Sequence, residues 1–137
     1  LVVDAIDSVG PKVDLLAACV RKSLPVISCM GASSRTDPTR IRVAEIAETT
    51  ACPLARRVRK GLRARGVENG ITVVFSTEKP LHPLPPDENE QALVRGRTRH
   101  RQPSLSTLPG IFGYVVANAA IMTLSRFTRQ GQDDGGP

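Results

Sequence analysis

Apolar residues recur along this chain with two different periods, and the places where one period gives way to the other mark out the secondary structure. Residues 1–6 form a short β-rich run, residues 7–10 a turn, and Pro11 stands where a first helical turn tolerates proline. Val13, Leu16, Ala17 and Val20 then fall at i, i+3, i+4 and i+7, one apolar stripe of a helix. Arg21 and Lys22 follow at the end of that stripe, where cations complement the helix dipole. Residues 25–30 read as a buried strand, which completes a β-α-β unit whose crossover should be right-handed.

Residues 31–38 are small and turn-forming. Ile41, Val43 and Ile46 against Arg42 and Ala44 give a half-exposed strand. A second helix is predicted over 53–65, stopped by Gly66, with Leu54, Val58 and Leu62 on one side. Its other side carries Arg56, Arg57, Arg59, Lys60, Arg63 and Arg65. Residues 71–75 are again β-rich. From 79 to about 101 the periodicity vanishes into prolines, an acidic stretch and alternating arginines, which predicts a long mobile crossover loop reaching to about 108. Residues 111–124 are almost free of charge and read as a buried or membrane-adjacent helix, short of the roughly 20 apolar residues of a confident span. Residues 128–137 end the chain as a polar, Gly-rich, disordered tail. The organisation expected is therefore one α/β unit over 1–127, the C-terminal part of a Rossmann-like domain with mixed strands.

Composition narrows this picture. Of 137 residues 40% are hydrophobic, enough for a packed core, but only 3% are aromatic, which argues against stacking platforms for single-stranded nucleic acid. The net charge of +6 favours a polyanionic partner. Cys19, Cys29 and Cys52 form no CxxC pair, and His82 and His100 have no ligand spacing around them. A zinc site and a disulfide framework are both disfavoured, and a reducing, cytoplasmic compartment fits. Cys19 and Cys29 read as packing residues and Cys52 as part of a helix start. An apolar strand at position 1, with no lead-in, reads as a chain cut where a buried strand begins.

In open parallel sheets ligands sit beyond the carboxyl ends of the strands, where a helix begins. The segment Asp4-Ala5-Ile6-Asp7-Ser8 occupies that place. A carboxylate there can hold Mg²⁺ among nucleotide phosphates; equally, Asp7 or Ser8 can simply cap the helix. The basic side of the second helix and the arginines at 95, 97, 99 and 101 each have two readings, an RNA contact or a solvated surface.

Val2-Val3-Asp4-Ala5-Ile6-Asp7-Ser8 with Lys12, Thr36-Asp37-Pro38-Thr39-Arg40-Ile41, Cys52-Pro53-Leu54-Ala55-Arg56, Val74-Phe75-Ser76-Thr77-Glu78 and Leu108-Pro109-Gly110-Ile111-Phe112-Gly113 occur in that order. As a set they resemble the tRNA threonylcarbamoyladenosine dehydratase family, a branch of the ThiF-like, ubiquitin-activating-type adenylating enzymes. The resemblance implies an ATP- and Mg²⁺-dependent enzyme that adenylates the threonylcarbamoyl carboxylate beside the tRNA anticodon and cyclises it with net loss of water. Carried over, Asp7 becomes the catalytic Mg²⁺–ATP carboxylate, Ser8 its neighbour at the nucleotide and Lys12 a supporting ATP-site residue. Arg95, Arg97, Arg99 and Arg101 become tRNA contacts near the active-site mouth. A homodimer is implied for the complete protein, and the apolar segment 109–127 raises association with a membrane, including a mitochondrial one.

The departures from the family pattern also carry meaning. The family's glycine-rich phosphate loop, the acidic residue for the ribose, and the Arg and Lys that hold the phosphates lie upstream of the matched region, so the resemblance implies the back half of a nucleotide-using enzyme, inactive alone. Gly10 replaces an Arg found in many relatives. Gln102-Pro103-Ser104-Leu105-Ser106-Thr107 has no Cys, which implies a thiol-independent cyclisation. Two other functions remain as alternatives: activation of a ubiquitin-like or sulfur-carrier protein, and a non-catalytic basic RNA-binding fragment.

Overall fold

The period-2 runs fold as strands and the 3.6-period runs as helices. A computed structural model describes residues 1–81 and 105–133, the stretch 127–133 as backbone only. Within it lie β1 (Val2–Asp4), α1 (Val9–Arg21), β2 (Val26–Cys29), β3 (Ile41–Glu45), α2 (Pro53–Arg63), β4 (Thr72–Ser76) and α3 (Thr107–Asp133). Short 3-10 turns at Pro38–Arg40 and Ile46–Glu48 flank β3. The sheet order is β1-β2-β4-β3; β1, β2 and β4 run parallel and β3 runs antiparallel to β4. This is the mixed α/β architecture expected of the C-terminal part of a Rossmann-like domain.

Alternation along the strands sends side chains to two layers. Val73 and Phe75 of β4 join Val26 of β2 in a core with Val13, Leu16 and Ala17 of α1 and Ala55, Val58 and Leu62 of α2. Val74 and Ile27 point the other way, onto Leu108, Phe112 and Val116 of α3. The two helices of the first layer meet at Gly61. A Cβ built there lies 2.9 Å from Val13 Cγ2, so only glycine allows the crossing this close.

Several boundaries differ from the sequence expectation, four of them for an identifiable local reason. The first strand stops at Asp4 because the carboxylate of Asp4 accepts from Ile6 N (2.9 Å) and closes a turn two residues early. α2 ends at Arg63, and the chain turns through Gly66 at φ 73°, a conformation open to glycine. Ile46 leaves the strand pattern: β3 ends at Glu45, whose side chain accepts from Ile46 N while Glu48 accepts from Glu45 N, a capping box that starts a 3-10 turn. α3 begins at Thr107 rather than 111, since Pro109 fits its first turn, and it continues to Asp133, so residues 128–133 are helix and not part of the disordered tail expected over 128–137.

α3 is not wholly buried. One stripe packs on β2 and β4, while Tyr114 is 80% and Ile121 63% exposed. Residues 107–126 are long and apolar enough to cross a membrane by length and composition alone. Residues 82–104, with Arg95, Arg97, Arg99 and Arg101, and the tail 134–137 lie outside the described residues.

Candidate functional site

The carboxyl end of β1 is organised by a buried ion pair. Asp4 closes the strand, facing the α1 layer, and neither its side chain nor that of Lys12 has any exposed surface. Lys12 Nζ lies 2.7 Å from Asp4 Oδ2, and Ser28 Oγ on the neighbouring strand donates to the same oxygen at 2.6 Å. Asp4 Oδ1 accepts from Ile6 N, and Lys12 Nζ also donates to Ile6 O at 3.0 Å. Two strands, the strand-to-helix turn and the first turns of α1 are thus tied through one carboxylate. Burying a charged pair costs desolvation, which is recovered only when every remaining lone pair and proton finds a partner. Here both carboxylate oxygens are bonded.

That clamp fixes the backbone from which the next two side chains project. Asp7 is exposed, and among the described residues no hydrogen bond or ion pair engages its carboxylate. Ser8 is the N-cap residue of α1, yet its hydroxyl makes no capping bond. The capping role open to these residues in the sequence is therefore not taken up by either side chain. Both present oxygen to solvent at the carboxyl end of a strand and the start of a 13-residue helix. Mg²⁺ takes oxygen ligands and commonly uses one or two carboxylates plus substrate phosphates and water. Asp7 and Ser8 fit that chemistry; Asp4, with both oxygens occupied inside the protein, does not. Lys12 is brought together with Asp4 and not with Asp7.

Around this edge the other matched motifs prove to be structural braces. The carboxylate of Glu78 accepts from Thr36 N at 3.1 and 3.0 Å, from Asp37 N at 3.0 Å and from Thr36 Oγ1 at 3.2 Å. It joins the end of β4 to the loop after β2. Its desolvation favours the neutral acid, but the backbone N–H groups of Asp37 and Thr36 and the Thr36 hydroxyl outweigh this and hold its pKa below the ordinary value. Asp37 caps the 3-10 turn through Thr39 Oγ1 (2.5 Å) and Thr39 N (2.9 Å), bonds that lower its own pKa.

Arg35, buried at 2% exposure, donates to the carbonyls of Gly31 and Ser33 through Nη1 and to Ala51 through Nη2; its Nε has no partner among the described residues. Cys52 is the N-cap of α2, its Sγ accepting from Ala55 N at 3.5 Å, and Cys19 is buried in the core, as read from the sequence. Cys29 is only half-buried. Burial, with smaller contributions from Asp4 and Cys52, keeps its thiol above the ordinary pKa against the opposing charge of Lys12.

The sequence reading gave no role to Ser28, Arg35 or Glu78. A polar residue inside an otherwise apolar strand was the available signal for Ser28. An arginine in a small-residue loop carried none.

A Rossmann-like sheet with an unengaged carboxylate beyond the carboxyl end of its first strand belongs to the class of α/β folds that bind ligands at that edge. The chain belongs to the ThiF family, whose description matches residues 1–134. It is 40% identical over 136 residues to tRNA threonylcarbamoyladenosine dehydratase 2 of Saccharomyces cerevisiae, covering 90% of this chain and 30% of that protein. To the tRNA threonylcarbamoyladenosine dehydratase of Bacillus subtilis it is 34% identical over 128 residues, covering 90% and 50%. The crystal structure of the Escherichia coli dehydratase in complex with AMP superposes with a TM-score of 0.76 at 30% identity, over 93% of this chain and 49% of that one. The same enzyme in complex with ATP gives 0.71 at 31% identity, again over 93% and 49%. The chain thus spans between about a third and a half of the length of these relatives.

Proposed function

We propose that this chain is part of an ATP-dependent tRNA threonylcarbamoyladenosine dehydratase, which adenylates the threonylcarbamoyl carboxylate and cyclises it with net loss of water. The observation that carries the reading is the unengaged Asp7–Ser8 pair. It stands on a rigid buried clamp at the carboxyl edge of the sheet, in a chain similar along nearly its whole length to such dehydratases. Asp7 and Ser8 are the residues that would hold Mg²⁺ and the nucleotide. The metal, when bound, supplies positive charge that offsets the charge gained by departing pyrophosphate. Lys12 acts through Asp4, positioning the turn that presents Asp7. The outer stripe of α3, with Tyr114, Ile121 and Met122 exposed, is an apolar surface that supports assembly as a homodimer; recovery with membranes would instead assign that stripe to a lipid surface.

The test uses the intact protein that carries this chain, with threonylcarbamoyl-modified tRNA and Mg-ATP. Mass spectrometry should show the modified nucleoside losing one water, and Asp7→Ala should abolish the loss while the protein stays folded. A folded, ATP-binding wild type that leaves the nucleoside unchanged overturns the reading and favours activation of a protein carrier.

A further inference from the structure

α2 carries more positive charge than a solvated helix needs, and all of it is on one side. Ala55, Val58 and Leu62 face the core, and no Asp or Glu occurs anywhere in the helix. Arg56, Arg57, Lys60 and Arg63 are exposed, and among the described residues none of them has an ion pair or side-chain hydrogen bond. The neighbouring cations are used internally: Arg59 bonds to Thr49, and Arg65 to Asp14. Arg56–Lys60 stand at i, i+4 and Arg57–Lys60 and Lys60–Arg63 at i, i+3, spacings at which like charges oppose helix formation. Arg56 and Arg57 also lie in the half of the helix where positive charge opposes the dipole. A surface selected only for solubility intersperses both signs. The uniform sign points to an anionic partner.

The chemistry of that partner follows from what the face lacks. No aromatic or large aliphatic side chain interleaves the cations, so neither base stacking nor insertion into a lipid interface is provided for. Guanidinium groups match phosphate oxygens in a two-pronged geometry, which suits a sugar–phosphate backbone. The seven steps along the helix from Arg56 to Arg63 rise about 10 Å, on the order of three successive phosphates of one strand. The amino end of α2 also lies at the carboxyl edge that bears Asp7. Arg35, in the loop leaving β2, reaches Ala51 just ahead of it, and Gly31 lies against Leu54.

We propose that the exposed face of α2, through Arg56, Arg57, Lys60 and Arg63, docks the phosphate backbone of the RNA substrate, holding it independently of its sequence beside the nucleotide edge. This rests on the tRNA reading above and assigns that substrate a surface.

The test measures tRNA binding by the intact protein as a function of salt, for wild type and for the quadruple variant Arg56→Gln, Arg57→Gln, Lys60→Gln, Arg63→Gln. Four lost phosphate contacts should reduce the slope of log K against log salt by about 3, removing on the order of 50- to 150-fold of the change in Kd between 50 and 200 mM salt. ATP binding should be unchanged, which reports that the variant is folded. A control variant, Arg21→Gln with Lys22→Gln, alters charge on α1 and should leave the slope in place. An unchanged slope in the quadruple variant, an equal loss per charge in the control, or loss of binding to anionic vesicles but not to tRNA each overturns the proposal. If the wild type binds tRNA through this face but removes no water, the surface stands and the dehydratase reading falls. If dehydration proceeds and the quadruple variant binds tRNA normally, the reverse holds.

Discussion

Lys12 can act in two ways at the carboxyl edge of the sheet, and one substitution separates them. As a ligand to phosphate it would need its ammonium at the surface; in the structure that ammonium is fully buried against Asp4. Lys12→Met is one atom shorter but keeps the unbranched shape and most of the volume of the side chain, so it opens little cavity and removes chiefly the charge. What remains is the Asp4 carboxylate, buried with Ser28 Oγ and Ile6 N as its donors and no counter-ion. Removing one partner of a buried pair costs about 3–5 kcal/mol, because the other charge is left uncompensated. Urea unfolding of the intact protein should show a loss of that size. A second variant, Asp4→Leu with Lys12→Met, removes both charges and should lie closer to wild type than the single change. The pair should then show a coupling energy of at least about 2 kcal/mol. ATP affinity of the folded Lys12→Met protein should fall only as far as the Asp4–Ile6 turn is loosened. If unfolding shifts by less than about 1 kcal/mol while ATP affinity collapses, Lys12 is a nucleotide ligand and the clamp argument is refuted.

The other expectations follow from single contacts. Gly61→Ala brings a methyl group to 2.9 Å of Val13 Cγ2, and overpacking of about 1–3 kcal/mol should exceed the roughly 1 kcal/mol gained in helix propensity, so Tm falls; a rise in Tm would show that α1 and α2 separate freely. Gly10→Ala meets nothing within 4 Å in the first turn of α1 and should stabilise by about 0.5–1 kcal/mol, whereas destabilisation would mean that position 10 needs glycine for its backbone. Glu78, with its pKa lowered in the folded state, contributes stability above its unfolded value near about 4.3, and that contribution is lost as pH falls through the folded value. Glu78→Gln should therefore be less stable than wild type at neutral pH and converge with it below about pH 4; parallel unfolding curves across that range would exclude the role. Cys29, its thiol held protonated by burial, should alkylate more slowly in the native protein at pH 7 than after unfolding, and equal rates would contradict the burial.

How far the sequence showed this in advance depended on the range of each interaction. Helices and strands follow from residues a few positions apart, and the stripes Val13–Leu16–Ala17 and Val58–Leu62 were legible because every member lies on one turn or the next. The antiparallel sense of β3 was not: nothing within residues 41–45 states which neighbour it pairs with, and the answer lies 30 residues on, in β4. Lys12 shows the same limit within a helix. In the sequence it is a cation one position before an apolar stripe, and nothing nearby signals its burial. It is buried because Asp4, on another element, turns into the same layer. Long-range polar contacts leave no periodic trace, so Glu78 appeared only as the last residue of a motif.

The motifs that made the chain recognisable therefore do two different jobs. Thr36-Asp37 and Glu78 meet each other, Pro53-Leu54 starts a helix, and Leu108 with Phe112 seals the far face of the sheet; each of these is taken up in bracing or packing the fold. Asp7 alone among the matched acidic residues has no structural employment among the described residues, and that asymmetry singles it out. A carboxylate that braces the fold is satisfied by the fold, as Asp4 and Glu78 are. One intended for a ligand must be left unsatisfied by everything around it, while its backbone is held by something rigid. Asp4 supplies that rigidity from the last residue of β1, just before the turn, and Lys12 from the first turn of α1, just after it, which is why their removal should disturb Asp7 without touching it.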